Sequence, residues 1–177
     1  LTKVLIIIES PNPVKKYFNM PKQNVFEQLL ILSLENNKKN HPNFPDEYRP
    51  KPKYSDKTAN GLTKCIVDYL NFSGHVASRI NNMGTWRADK SYANGGFYTR
   101  SNQMRGIADI DSTINVKITG IPVGLSVKWE VKIGKDRQSD AQKEYERKIK
   151  ESGGHYYIVK TFEDFLQKYN ELIFKYS

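Results

Sequence analysis

The sequence predicts an α/β fold preceded by an N-terminal extension. Three observations carry this. From residue 58 the elements read helix, strand, strand, strand, helix, strand, helix. One segment, residues 125–133, alternates apolar and polar residues as a half-buried strand must. The chain has 177 residues, 38% of them hydrophobic, which suits one compact core.

The elements follow in order. Val4 to Ile8 reads as a buried strand, closed by Ser10-Pro11-Asn12-Pro13. Val25 to Leu34 reads as a helix with Phe26, Leu29, Leu30 and Ser33 on one face. Asn36 to Lys57 is rich in Asn, Lys and Pro and is expected to be a loop or linker, so residues 1–57 form an extension and 58–177 the main domain. Leu62, Cys65, Ile66, Tyr69 and Leu70 fall on one helical face, and Gly74 ends that helix. His75 to Ile80 is expected to be a strand. Asn81 to Arg105 holds two hairpin-prone Gly/Asn clusters, and Ile107 to Ile114 a further strand. Turn signals follow at Gly120 and at Pro122-Val123-Gly124. In Leu125 to Ile133, Leu125, Val127, Trp129, Val131 and Ile133 alternate with Ser126, Lys128, Glu130 and Lys132. That pattern predicts one buried and one polar face. Ser139-Asp140-Ala141-Gln142 is a capping box opening a helix to about Ser152. Tyr156 to Lys160 is a last strand, and Thr161 opens a final helix whose apolar side is Phe165, Leu166, Tyr169 and Leu172.

The formal net charge is +9, which favours polyanionic partners, nucleic acid first. The single cysteine, Cys65, allows no internal disulfide and points to a reducing, intracellular compartment, cytoplasmic or nucleoid-associated, which a viral or mobile-element protein acting in a host cell would share. The three histidines form no motif with it, so neither Cys/His catalysis nor a zinc site is supported. The apolar run at Val4 to Ile8 is too short to span a membrane or serve as a secretory signal, so no membrane partner is expected. The sequence opens on Leu1, so an upstream start is expected.

Glu130 and Lys132 are two apart on a strand and therefore share a face. Such a pair is ordinarily a solvated ion pair. The preceding strand changes its meaning, because Asp109 sits among Ile107, Ala108 and Ile110, where strands disfavour Asp. If the two strands pair, Asp109 and Glu130 converge. Two carboxylates with waters and a phosphate oxygen make a hard Mg²⁺ site, and an adjacent lysine can steady the attacking water and the charge developing on phosphorus. Gln142, in the first turn of the next helix, can reach the same place. Asp111 shares the strand face of Asp109 and is either an additional ligand or a solvated polar residue.

Gly106-Ile107-Ala108-Asp109, Trp129-Glu130-Val131-Lys132, Gln142 and Gly153-Gly154-His155-Tyr156-Tyr157-Ile158-Val159 together resemble the PD-(D/E)xK nuclease superfamily. The nearest branch is VRR-NUC, the virus-type replication-repair nucleases related to Holliday junction resolvases. The resemblance covers roughly residues 58–169. It implies a restriction-endonuclease-like core, a central mixed sheet flanked by helices, and metal-dependent phosphodiester hydrolysis with Mg²⁺ or Mn²⁺, directed at DNA and suited to branched or junction DNA. By the same resemblance Asp109 and Glu130 bind metal, Lys132 is the catalytic lysine and Gln142 is accessory. Resolvase-like relatives act as symmetric dimers, which makes a homodimer an expectation. Two departures are visible: Ala108 stands where the name places Pro, and Asn60 is the nearest residue to the first-helix Glu of many members.

Residues 79–105 interleave Arg79, Arg87, Lys90, Arg100 and Arg105 with Trp86, Tyr92, Phe97 and Tyr98. These cations suit phosphates and the aromatics suit exposed bases, unless the rings turn inward. Lys128, Lys135 and Arg137 lie close to Lys132 in sequence and are further candidates for phosphate contact. No base-reading motif is present, so recognition of shape or backbone is expected. Two rival readings stand beside the nuclease. One is a non-catalytic DNA-binding or assembly module on the same fold, supported by the absent helix carboxylate. The other is a Toprim-type enzyme, because Lys3 to Phe18 resembles the opening strand of that domain, with Glu9 ahead of Asp109-Ile110-Asp111. The Toprim reading leaves Glu130, Lys132 and Gln142 without a role.

Overall fold

The computed structural model describes residues 24–81, 84–99 and 104–176; the strand expected at 4–8, Glu9 and Arg100 lie outside them. Four helices are described: α1 (Val25–Asn40), α2 (Ala59–Phe72), α3 (Asp140–Glu151) and α4 (Phe162–Lys175). The strands are β1 (Val76–Arg79), β2 (Thr85–Ala88), β3 (Gly96–Thr99), β4 (Ile110–Ile118), β5 (Ile121–Val131) and β6 (His155–Val159). The main sheet is mixed, in the order β1-β4-β5-β6, antiparallel except for the parallel pair β5–β6 that α3 connects. The hairpin β2–β3 forms a separate two-stranded sheet inserted between β1 and β4. Without the hairpin, the order from α2 onward is the expected helix, three strands, helix, strand, helix.

One face of the sheet makes the core. Ile110, Ile114, Val127, Trp129 and Val131 project from it against Leu62, Ile66 and Leu70 of α2 and Phe162, Phe165, Tyr169 and Leu172 of α4. Ser112, the polar residue in this row, donates to the Val127 carbonyl at 2.8 Å and accepts the Trp129 indole N–H at 3.0 Å, so its burial leaves nothing unpaired.

Three expectations need correcting. The break expected near residue 57 is not a break in packing. Leu29 of α1 is fully buried in the core, Phe26 stacks on Phe162 at 5.8 Å, and Asp56 accepts the Phe162 N–H at 2.9 Å. The stretch beyond Asn36 is not simply a linker either. α1 continues to Asn40, and the buried Arg49 guanidinium donates to Asp46, Asn37 and the His41 and Phe44 carbonyls, folding the polar stretch onto the helix end. Finally, Pro122-Val123-Gly124 is not a turn. β4 and β5 pair continuously from Ile110–Trp129 to Ile118–Ile121, and the chain reverses only at Thr119-Gly120. β6 reaches only Val127–Val131, so Pro122 sits on an outer edge where the missing N–H breaks no ladder bond.

Candidate active site

β5 delivers side chains to both faces. Val127, Trp129 and Val131 enter the core; Lys128, Glu130 and then Lys132 point to the opposite face, beneath α3. The Lys132 N–H donates to the Val159 carbonyl at 2.9 Å, which extends pairing, and hence alternation, past the strand's end. The polar face expected from the alternation exists, but at this end it is closed. Glu130 is 1% exposed and Lys132 6%.

The closure is a hydrogen-bonded unit. Lys132 Nζ lies 2.9 Å from Glu130 Oε1 and 3.3 Å from Asp136 Oδ2. It also donates to Gln142 Oε1 at 3.1 Å, while the Gln142 amide N–H donates to Glu130 Oε1. The other carboxylate oxygen, Glu130 Oε2, accepts the Tyr156 hydroxyl at 3.2 Å. Gln142 simultaneously completes the capping box: its Oε1 accepts the Ser139 N–H at 2.9 Å, and its own N–H reaches the Ser139 hydroxyl at 3.3 Å. The bond that caps the helix therefore also fixes the amide between the acid and the lysine.

Asp109 stands one residue before β4. Its Oδ2 accepts the Val131 N–H at 2.9 Å, where the strand ladder would otherwise lapse, and this turns the carboxylate toward β5 beside Glu130. The approach depends on Gly106, whose φ is +77°. A Cβ at Gly106 would collide with the Ala141 carbonyl in the first turn of α3. The Asp109 loop and the turn bearing Gln142 are thus in direct backbone contact.

The electrostatics are coupled. Burial pushes the Glu130 carboxyl above the ordinary carboxylate range, the Asp109 charge adds to the rise, and hydrogen bonds from Lys132 and Tyr156 oppose it. Burial acts to lower Lys132, but the Glu130 and Asp136 carboxylates outweigh it, so the ammonium holds its proton more firmly than usual. Burial also raises the Tyr156 phenol, which remains a donor. Among the described residues no group of three His, Cys, Asp or Glu side chains gathers as a metal cluster. Asp109 and Glu130 nevertheless fit the demand of Mg²⁺, which commonly takes one or two carboxylates and completes its shell with water and phosphate oxygens.

The remaining expected residues are dispersed. Asp111 pairs across the strands with Lys128 and forms an ion pair with it on the Glu130 face. Arg79 is exposed but pairs with Ile110, which puts it on the opposite, core-side face of the sheet. Lys135 and Arg137 are exposed in the loop between β5 and α3, and Arg105 is exposed beside Gly106. Arg87 is exposed on the separate hairpin.

Sequence reasoning missed Tyr156, Asp136 and Gly106 as parts of the site. Tyr156 reaches the Glu130 face because it pairs with Lys128 in the parallel register of β5 and β6, a distant pairing that leaves no local mark in the sequence. No described helix is long and apolar enough to cross a membrane. No family model, no curated protein and no solved structure matches the chain.

Proposed function

We propose that the chain is a divalent-metal-dependent DNA endonuclease with a PD-(D/E)xK core of the VRR-NUC type, serving replication, recombination or repair. The observation that carries the reading is the single hydrogen-bonded unit of buried Glu130 and Lys132 with half-buried Gln142, beside Asp109, at one end of a mixed sheet. Asp109 and Glu130 would hold Mg²⁺ or Mn²⁺. A bound ion supplies charge stabilisation at phosphorus and a more acidic water. Lys132, kept protonated, faces the negative charge that develops on the phosphoryl oxygens. Gln142 holds the Lys132 ammonium and the Glu130 carboxylate in register, and Tyr156 fixes the second Glu130 oxygen.

A second reading draws on a specific observation. Glu130 is 1% exposed and both its oxygens are already partnered, as in a buried ion pair retained for structure in a DNA-binding or assembly module. Incubation with branched, duplex and single-stranded DNA under Mg²⁺ or Mn²⁺ separates the two. The nuclease reading requires permanent strand cuts, abolished by EDTA and by Lys132→Ala in a folded protein. Tight DNA binding without cuts supports the module. Relaxation of supercoiled plasmid without permanent nicks would instead support Toprim chemistry.

A further inference from the structure

The hairpin β2–β3 takes no part in the core, yet it carries an ordered aromatic surface. Trp86 and Tyr98 are directly paired across its strands and point to one face. Gly96 lies diagonal to Trp86 and Gly84 diagonal to Tyr98 on that same face. A Cβ at Gly96 would fall 2.9 Å from the Trp86 indole, and one at Gly84 2.8 Å from the Tyr98 ring carbon Cζ. Each ring thus lies down over a glycine backbone, with one side held by the strand and the other facing out. Trp86 is 53% exposed and Tyr98 56%. Rings recruited to a core would not remain so open.

Two further facts say what such a surface would meet. Residues 79–105 contain Arg79, Arg87, Lys90, Arg100 and Arg105 against one acid, Asp89. That acid is occupied by the Ser91 N–H and hydroxyl. The insertion is also rooted at the candidate site: the Ile80 N–H donates to the Asp109 carbonyl at 2.7 Å, so the chain leaves and re-enters the sheet at the end where Asp109 meets β5.

We propose that the Trp86–Tyr98 face is a stacking platform for unpaired nucleobases, selecting nucleic acid with a single-stranded segment for the site below. Stacking tolerates any base, because every base offers a π-face, and the excess of cations over acids in this segment suits phosphates. A paired duplex hides its base faces and cannot use the platform. This assignment of substrate class rests on the nuclease reading, but the platform itself can be tested without cleavage.

The full chain is titrated in EDTA with (dT)20, (rU)20 and a 20-base-pair duplex, reading tryptophan fluorescence and the anisotropy of a labelled strand. Trp129 is fully buried, so base stacking is reported by the exposed Trp86. The expected result is quenching by the single strands and not by the duplex. Trp86→Ala and Tyr98→Ala should each weaken single-strand binding roughly five- to a hundredfold. Trp86→Phe should keep most of it, and duplex binding should change by less than about twofold in each variant. Equal affinity for strand and duplex, indifference of single-strand binding to Trp86→Ala, or concentration-dependent self-association that buries Trp86 would each overturn the proposal. Circular dichroism confirms that the variants fold. Cleavage with no strand preference would sink the platform alone; strand preference with no cleavage under metal would sink the nuclease reading alone.

Discussion

The two faces of β5 use the same burial for opposite ends. Trp129 is fully buried among Tyr157 and Phe165, at ring distances of 5.0 and 4.8 Å, and its one polar atom is satisfied by Ser112. One residue along, Glu130 is almost as deeply buried, but as a carboxylate against an ammonium. Burial of the indole is favourable outright. Burial of the ion pair costs desolvation that its Coulomb attraction only partly returns, so it is weak evidence for stability. The difference teaches that depth alone does not identify the stabilising face: one face holds the fold, and the other holds charges in a fixed geometry.

Substitutions can break this contrast or sharpen it. The largest effect should come from the apolar face: Trp129→Ala should lower unfolding free energy by about 3–5 kcal/mol in a denaturant titration. On the charged face, Lys132→Ala should reduce metal-dependent cleavage by about 10²–10³-fold, as loss of a donor to a developing oxyanion does. Joint replacement Glu130→Leu, Lys132→Met and Tyr156→Phe, which also removes the hydroxyl that Glu130 accepts, should abolish cleavage while leaving the denaturation midpoint unchanged or higher, since apolar substitutes for a buried pair are commonly neutral or stabilising. A large fall in midpoint for that triple variant would show the charges to be structural.

The apolar side has its own titrating brace. His75 Nδ1 accepts the Asn115 N–H at 3.2 Å and Nε2 meets the Tyr169 hydroxyl at 2.7 Å, an arrangement that needs the neutral ring. Burial lowers its pKa from 6.5 to about 4. Between those values the unfolded chain binds the proton and the folded chain does not, so stability falls as pH drops from about 6.5 to about 4. The loss should reach about 3 kcal/mol, and His75→Gln should flatten that part of the pH profile. Metal-dependent cleavage should fail with falling pH at a higher value than an ordinary carboxylate dictates, because Glu130 is raised and must be ionised to hold a cation.

The smallest expected effect compares two glycines with similar φ, +77° at Gly106 and +84° at Gly120. Ala at either position costs about 1–2 kcal/mol of backbone strain. At Gly120 no heavy atom lies within 4 Å of the added Cβ, so cleavage should be unchanged; at Gly106 the Cβ meets the first turn of α3, so cleavage should fall as well.

Much of this was legible in sequence because it depends on neighbours close along the chain. The alternation of β5, the Ser139–Gln142 capping box, the face of α2 and the hairpin within residues 81–105 all have local periods or turn residues as their cause. The reading failed where distant contacts decide. Nothing near Glu130 in sequence announces that Tyr156 and α3 will close its face. Arg49 draws a polar stretch into a compact bend through partners up to twelve positions away, which composition cannot register. Pro122 and Gly124 carry ordinary turn chemistry, but pairing with Lys117 and Asn115 of β4 holds them extended, and β6 does not reach them on the other side.

The double duty of Gln142 has a kinetic consequence. Helix ends are where local opening begins, and the first turn of α3 is held by the same amide that bridges Glu130 and Lys132. Fraying of a single helical turn therefore removes the Gln142 bridge from the Glu130–Lys132 pair while the core beneath β5 stays closed. Inactivation on warming should precede global melting, and amide exchange at Gln142 and Lys143 should rise at the lower of the two temperatures.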